Sequence, residues 1–285
     1  EFILKDNLEQ QLISKKCINF NTPANGNGVI YQAAVNYPGI PSDDVRGYLT
    51  GSTYQYGYGF TLESNIIFPY YDPLLSVNSR LNKIYDQISL FGTVTVDGTD
   101  SASKLGTDTT AVASGEDFGN FKVYFVREST NSRNGYFKLV AAKPGSDAIT
   151  LTSSVFKEVY NNEAWNLSVR VRPEEYPLQT FVDENFGVDA ANKRNYYDVV
   201  FSGYNAKTTD LFDSFVVSAS VKTDMGKKYI ESAKRAYVGA DRVNVTGDVS
   251  YKSDVLAGSL SYWLKTLEDS DLKQHSLDLD NIGLS

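Results

Sequence analysis

Histidine, cysteine and methionine each occur once in these 285 residues, and tryptophan only twice. The single cysteine, Cys17, excludes an internal disulfide. Its strand-like neighbours Ile18 and Phe20 make it a small buried hydrophobe rather than a reactive thiol. A chain without disulfides suits the cytosol, but also large extracellular or viral assemblies, so cysteine usage leaves the compartment open. With one histidine, His275, any Ser-His-Asp triad or histidine-rich zinc site would depend on that residue alone. It stands in a polar terminal segment and is expected to face solvent. Basic tracts are missing too: the net charge is −8 and the acidic residues are scattered, which excludes the electrostatic footprint of a nucleic-acid binder. No apolar run approaches the roughly 18 residues of a membrane helix, and the first twenty residues have no signal-peptide pattern. The only methionine is Met225, so Glu1 is read as an internal start and the chain as a piece of a longer protein.

What is abundant points one way. Twenty tyrosines, fifteen phenylalanines and 21 glycines favour strands joined by tight turns, hence an all-β chain. A sandwich of this length is commonly one domain and buries about three quarters of its unfolded surface, so it needs no staples. Residues 1–16 carry the one early helical pattern (Leu8, Leu12, Ile13 after Asp6 or Asn7) and are read as an arm or linker. Residues 17–285 are read as one domain, with no repeat of 20–50 residues.

Period-two alternation marks the strands. Phe60, Leu62, Ser64, Ile66 and Phe68 share one face of 60–68, and Trp165, Leu167, Val169 and Val171 one face of 163–172. Further strands are expected at 17–20, 29–35, 88–96, 121–126, 136–140, 196–203 and 214–221, with 205–210 as a linker. Residues 147–152 are expected to pair forward, with the segment after them in the chain. Asn134-Gly135 is a hairpin signal, since both residues tolerate positive φ. The stretches 97–116 and 173–193 are polar insertions. Near the end, Ala236 and Val238 open a strand. Leu256, Leu260 and Tyr262 share one face of another, with Trp263 opposite, and Leu267 with Asp269 or Ser270 as N-cap opens a short helical turn.

This order resembles laminin-G-like domains of the concanavalin A-like type. Phe60–Phe68 is similar to that family's "FT(L/I)E(A/S)W(I/V)xF" strand, with Asn65 where tryptophan is usual, and Glu163–Arg172 resembles its "W(N/H)xVA(V/L)" strand. Tyr237-Val238-Gly239, followed by the strand to Trp263 and by Leu267–Leu272, resembles its closing motif. The segments Lys234–Arg242 and Ser261–Gly283 are similar in texture to structural proteins of marine phages. The resemblance implies an all-β, concanavalin A-like (laminin-G-like) jelly-roll sandwich with long loop insertions and short terminal helical turns. It also implies a virion or extracellular setting.

Candidate chemistry is sparse. A retaining glycosidase needs two carboxylates about 5 Å apart. No Glu-x-Asp-x-x-Glu strand occurs, the spacing of Glu158 and Glu163 puts them on opposite faces, and Glu174-Glu175 reads as a solvated loop. No catalytic residue and no metal ligand is assigned, and the chain is expected not to be an enzyme. No cofactor is expected, with calcium on Asp97, Asp100 and Asp108 the one exception that loop chemistry allows. Tyr54, Tyr56 and Tyr58 share one face of an extended stretch and are the candidate binding residues, either as a glycan platform or as a contact with a neighbouring subunit. The glycosylation sequons at Asn166 and Asn244 carry little weight, Asn166 lying in an expected core strand.

The expectation is a non-enzymatic structural or attachment module of a virion (tail, fibre or surface component) or comparable extracellular assembly. Its partners would be neighbouring subunits or domains and surface glycans, with no nucleic acid and no membrane span. The alternative is a lectin-like carbohydrate-binding domain appended to a larger adhesin or enzyme.

Overall fold

A computed structural model describes residues 18–19, 29–31, 59–72, 85–95, 121–130, 132–141, 149–173, 196–207, 210–222, 226, 229, 234–242, 249–263 and 265–278. The strands are β1 (Ile18–Asn19), β2 (Val29–Tyr31), β3 (Phe60–Phe68), β4 (Gln87–Thr95), β5 (Phe121–Arg127), β6 (Gly135–Ala141) and β7 (Ile149–Thr152). They continue with β8 (Glu163–Pro173), β9 (Tyr196–Lys207), β10 (Asp210–Lys222), β11 (Lys234–Val238), β12 (Asp241–Arg242), β13 (Val249–Tyr251) and β14 (Leu256–Trp263). One helix, α1 (Asp269–Leu277), comes after them. No helix among the described residues is long and apolar enough to cross a membrane.

Two six-stranded antiparallel sheets form the fold. The front sheet runs β1-β14-β3-β8-β9-β10 and the back sheet β2-β11-β4-β5-β6-β7, with β12 and β13 as a separate ribbon. The chain is therefore an all-β sandwich. Half of the neighbouring pairs in the two large sheets join strands that are not consecutive in the chain, β3 lying between β8 and the C-terminal β14.

Alternation builds the core. Phe60, Leu62, Ile66 and Phe68 of β3 and Trp165, Leu167, Val169 and Val171 of β8 point inward, against Ile88, Phe91, Phe121, Val123, Phe125 and Phe137 of the back sheet. Trp165 is buried, its ring centroid 4.7 Å from that of Phe137 and 4.8 Å from that of Phe156, so the expected inward tryptophan does join the two sheets.

Several boundaries differ from expectation for local reasons. Residues 149–152 pair back onto β6, not forward. The expected 205–210 linker is absorbed into the β9–β10 hairpin, whose pairing runs out to Lys207 and Asp210. Residues 121–127 and 135–141 do form a hairpin, but Gly135 is not there for positive φ. A Cβ at that position would collide with the Val126 carbonyl oxygen and the Phe125 ring, so the glycine permits close approach. Leu256 does not share a face with Leu260, because the register shifts between Ala257 and Ser259. Leu260 and Tyr262 face the core, while Trp263, paired with Thr61, faces the opposite side.

Candidate functional site

The outward positions of the front sheet carry polar side chains. In β3 they are Thr61, Glu63 and Asn65; in β8, Asn166, Ser168, Arg170 and Arg172; in β9, Ser202 and Tyr204. An outer sheet face normally meets water, and polar residues there are what alternation predicts. Here most of the face is buried, because α1 lies across it.

Glu268 ends the extended approach to α1, and its backbone N–H donates to Asp271 Oδ2 at 3.1 Å. Asp269 and Asp271 in the first turn and His275 in the last suit the helix dipole. The expected N-cap at Asp269 or Ser270 is thus displaced to Glu268. Leu272 is the main apolar residue the helix buries, against Leu267, Tyr204 and Trp263.

Glu63 organises this interface. Its Oε1 accepts from Asn166 Nδ2 at 2.8 Å and its Oε2 from the Trp263 indole N–H at 3.0 Å. His275 Nδ1 lies 2.8 Å from Oε1 and 3.1 Å from Oε2. A carboxylate surrounded in this way is an acceptor only, so Nδ1 carries the proton of that contact. The His275 ring also stacks on Trp263, with centroids 5.7 Å apart and planes 21° from parallel. His275 is only 3% exposed, which corrects the expectation of a solvent-facing histidine: the helix folds back and delivers it under its own backbone to Glu63. Asn166 is likewise buried, but on the helix side and not in the core, and its Nδ2 also donates to the Leu272 carbonyl at 3.1 Å. Two outward positions along β8, Arg170 donates through Nη1 to the Leu267 carbonyl at 3.1 Å. Its Nη2 pairs with Asp269 at 2.6 Å. Burial and the nearby Asp269 push the Tyr204 phenol up to about 12.

The back sheet carries a second polar group on its outer side. Tyr124 donates to Asp241 Oδ2 at 2.8 Å and Lys122 Nζ reaches the same oxygen at 3.1 Å. Burial first, then the nearby Tyr237 and Asp241, holds the Tyr124 phenol far above its ordinary value. A third group closes one end of the sandwich: the Arg127 guanidinium lies 3.5 Å over the Tyr160 ring, and Asp254 takes Tyr160 Oη at 2.6 Å and Arg127 Nη2 at 3.4 Å. In each of the three clusters the polar side chains bond to one another.

The residues singled out by sequence fall mostly elsewhere. Tyr54, Tyr56 and Tyr58, the loop aspartates Asp97, Asp100 and Asp108, and Cys17, Glu174, Glu175, Asn244 and the 1–16 arm lie outside the described residues. Glu158 sits at a turn with φ 55° and pairs with Arg133 at 2.8 Å, whereas Glu163 is buried at the start of β8 with Asn205 and Lys207. The two carboxylates therefore serve separate partners. Among the described residues no group of three or more His, Cys, Asp or Glu side chains could hold a metal ion. Sequence reasoning missed Glu63. Its one signal is a charge in the middle of an apolar strand, at the parity opposite Leu62.

No family model matches the sequence, and no curated protein matches it. Among solved structures, an alginate lyase from Pseudomonas aeruginosa is similar at 8% sequence identity and a TM-score of 0.34. The similarity covers 73% of this chain and 65% of the lyase chain. The expectation that the chain is not an enzyme is withdrawn, since a solved structure similar to it is that of an enzyme. At this level of similarity the lyase lends the chain neither substrate nor mechanism.

Proposed function

We propose that the chain is a structural or attachment module of a virion or comparable extracellular assembly, of the laminin-G-like kind, working through contacts with neighbouring copies. The observation that carries this reading is β10. It is 13 residues long and ends the front sheet among the described residues. Leu211, Phe212 and Val216 are exposed along it, Phe212 at 64%. A long strand with an open hydrogen-bonding edge and apolar side chains is a template for pairing with another chain, which natural sheets otherwise blunt with charge, proline or short length. Sedimentation of the full chain over a concentration series tests this. Self-association is expected, with Val216→Lys shifting it to monomer at unchanged melting temperature. A chain that stays monomeric throughout would overturn the assembly reading.

A second reading, a glycan-binding module within a larger protein, is favoured by the outer face of the front sheet. That face combines an indole, a guanidinium, a carboxamide and a carboxylate, the side-chain types that stack on and hydrogen-bond to sugars.

A further inference from the structure

The cover that α1 makes over the front sheet is poorly matched to the side chains beneath it. Asn166 uses both hydrogens of its Nδ2, on Glu63 and on the Leu272 carbonyl, yet its Oδ1 accepts nothing from the protein. Arg170 is 1% exposed, and its Nε donates to no protein group. Arg172 Nε, one outward position further along β8, is in the same state. A buried polar group without a partner costs about 1–3 kcal/mol, so a surface evolved only to receive a helix would be apolar or fully bonded. This one is neither.

The contacts that the helix does satisfy have a recognisable chemistry. Asp269 places a carboxylate on Arg170 at 2.6 Å. The Leu267 and Leu272 carbonyls take one N–H each from Arg170 and Asn166. The His275 ring lies flat on Trp263 and hydrogen-bonds Glu63. A carboxylate on a guanidinium, a flat ring on an indole, and oxygen acceptors between them are the contacts that a carboxylated sugar chain would make.

We infer that α1 is an internal ligand: it occupies, and is displaced by an acidic glycan from, a binding face built on Glu63, Asn166, Arg170 and Trp263. The glycan's carboxylate replaces that of Asp269 on Arg170. A sugar ring replaces His275 on Trp263, with its hydroxyls donating to Glu63. Hydroxyls further along the chain supply the donor that Asn166 Oδ1 lacks and the acceptors that the two arginine Nε atoms lack. The Asp269 side chain is about half exposed, so exchange can begin at the helix N-terminus, where the cover meets solvent. This inference rests on the glycan-binding reading and is independent of self-association through β10.

The test uses the full-length chain with polygalacturonate and, as control, its methyl ester, in which the same backbone carries no charge. Titration calorimetry should show binding of the acid form and not of the ester. Asp269→Asn, at an exposed position, removes the competing carboxylate and should tighten binding about tenfold, as expected when one charge-assisted hydrogen bond of the competitor is weakened. Hydrogen exchange at the amides of 269–277 should accelerate in wild-type protein as polygalacturonate is added, a readout that needs no variant to fold. Equal binding of acid and ester, no difference between wild type and Asp269→Asn, or helix amides unmoved at high polygalacturonate would each overturn the inference. The unpaired atoms would then be satisfied by ordered water only. A monomeric chain that still binds the acid form would sink the assembly reading alone.

Discussion

Trp165 and Asp254 show how differently single residues hold this sandwich. Trp165 contributes by volume, filling the layer between the sheets against Phe137, Phe156 and Phe215. Trp165→Ala should cost about 4 kcal/mol in chemical denaturation, the usual range for an emptied aromatic core site. A loss under about 0.5 kcal/mol would remove that strand from the core. Asp254 contributes through its buried carboxyl, and the sign of its pH dependence is less obvious. Burial raises its carboxyl above the ordinary 3.8, against the opposing pull of Arg127 and of the Tyr160 hydroxyl. The folded state then holds its proton to higher pH than the unfolded state does. The stability that Asp254 adds is therefore full below pH 3.8 and declines as pH rises through the raised folded value. The advantage of wild type over Asp254→Asn should accordingly shrink as pH rises from about 3.8 towards neutrality (urea denaturation at each pH). An advantage that grows with pH would mean that Arg127, not burial, dominates.

At the scale of elements, two joints decide what the strands can do. The β5–β6 hairpin needs Gly135 because the Val126 carbonyl and the Phe125 ring occupy the space of a Cβ. Gly135→Ala should destabilise by about 1–3 kcal/mol, the cost of forcing an overpacked site to shift. Unchanged stability would mean that the hairpin relaxes freely. Helix α1 is held by one apolar anchor, Leu272, and by polar contacts at Asp269, His275 and the Leu272 carbonyl. Leu272→Ala should cost about 3 kcal/mol. Its hydrogen-exchange signature should be accelerated exchange confined to 269–277, since a nine-residue helix without its sheet is marginal in water. Global acceleration at equal extent would show instead that the helix and the sheet unfold as one unit.

For the molecule as a whole, the order of strands matters more than their number. β14 comes from the last thirty residues yet lies between β1 and β3 in the front sheet. Until it is in place, β3 is an unpaired edge carrying Ile66, Ile67 and Phe68. A chain ending at residue 255 should therefore aggregate on refolding, measured by light scattering against the full chain. A soluble, cooperatively melting product would show that the front sheet closes without β14. Non-local pairing of this kind also places refolding in the millisecond-to-second range rather than microseconds.

Period-two alternation was enough to identify β3 and β8, the inward position of Trp165 and the all-β class, because side-chain direction along a strand is set by local geometry. The opposite faces of Leu260 and Trp263 come from the same rule, three residues apart being an odd step. Strand ends, the shift at Ala257–Ser259 and the backward pairing of β7 were not legible, since hydrogen-bond partners are chosen between segments and not within them. The site was least legible of all. Glu63 and His275 are 212 residues apart, each alone reads as an ordinary surface residue, and their 2.8 Å contact exists only because β3 and α1 meet across the outer face of a sheet completed by β14. Sequence by itself determined which residues turn inward. Only the tertiary structure decided which of the outward ones would be buried, because burial of an outward face depends on the segments that the rest of the chain lays over it.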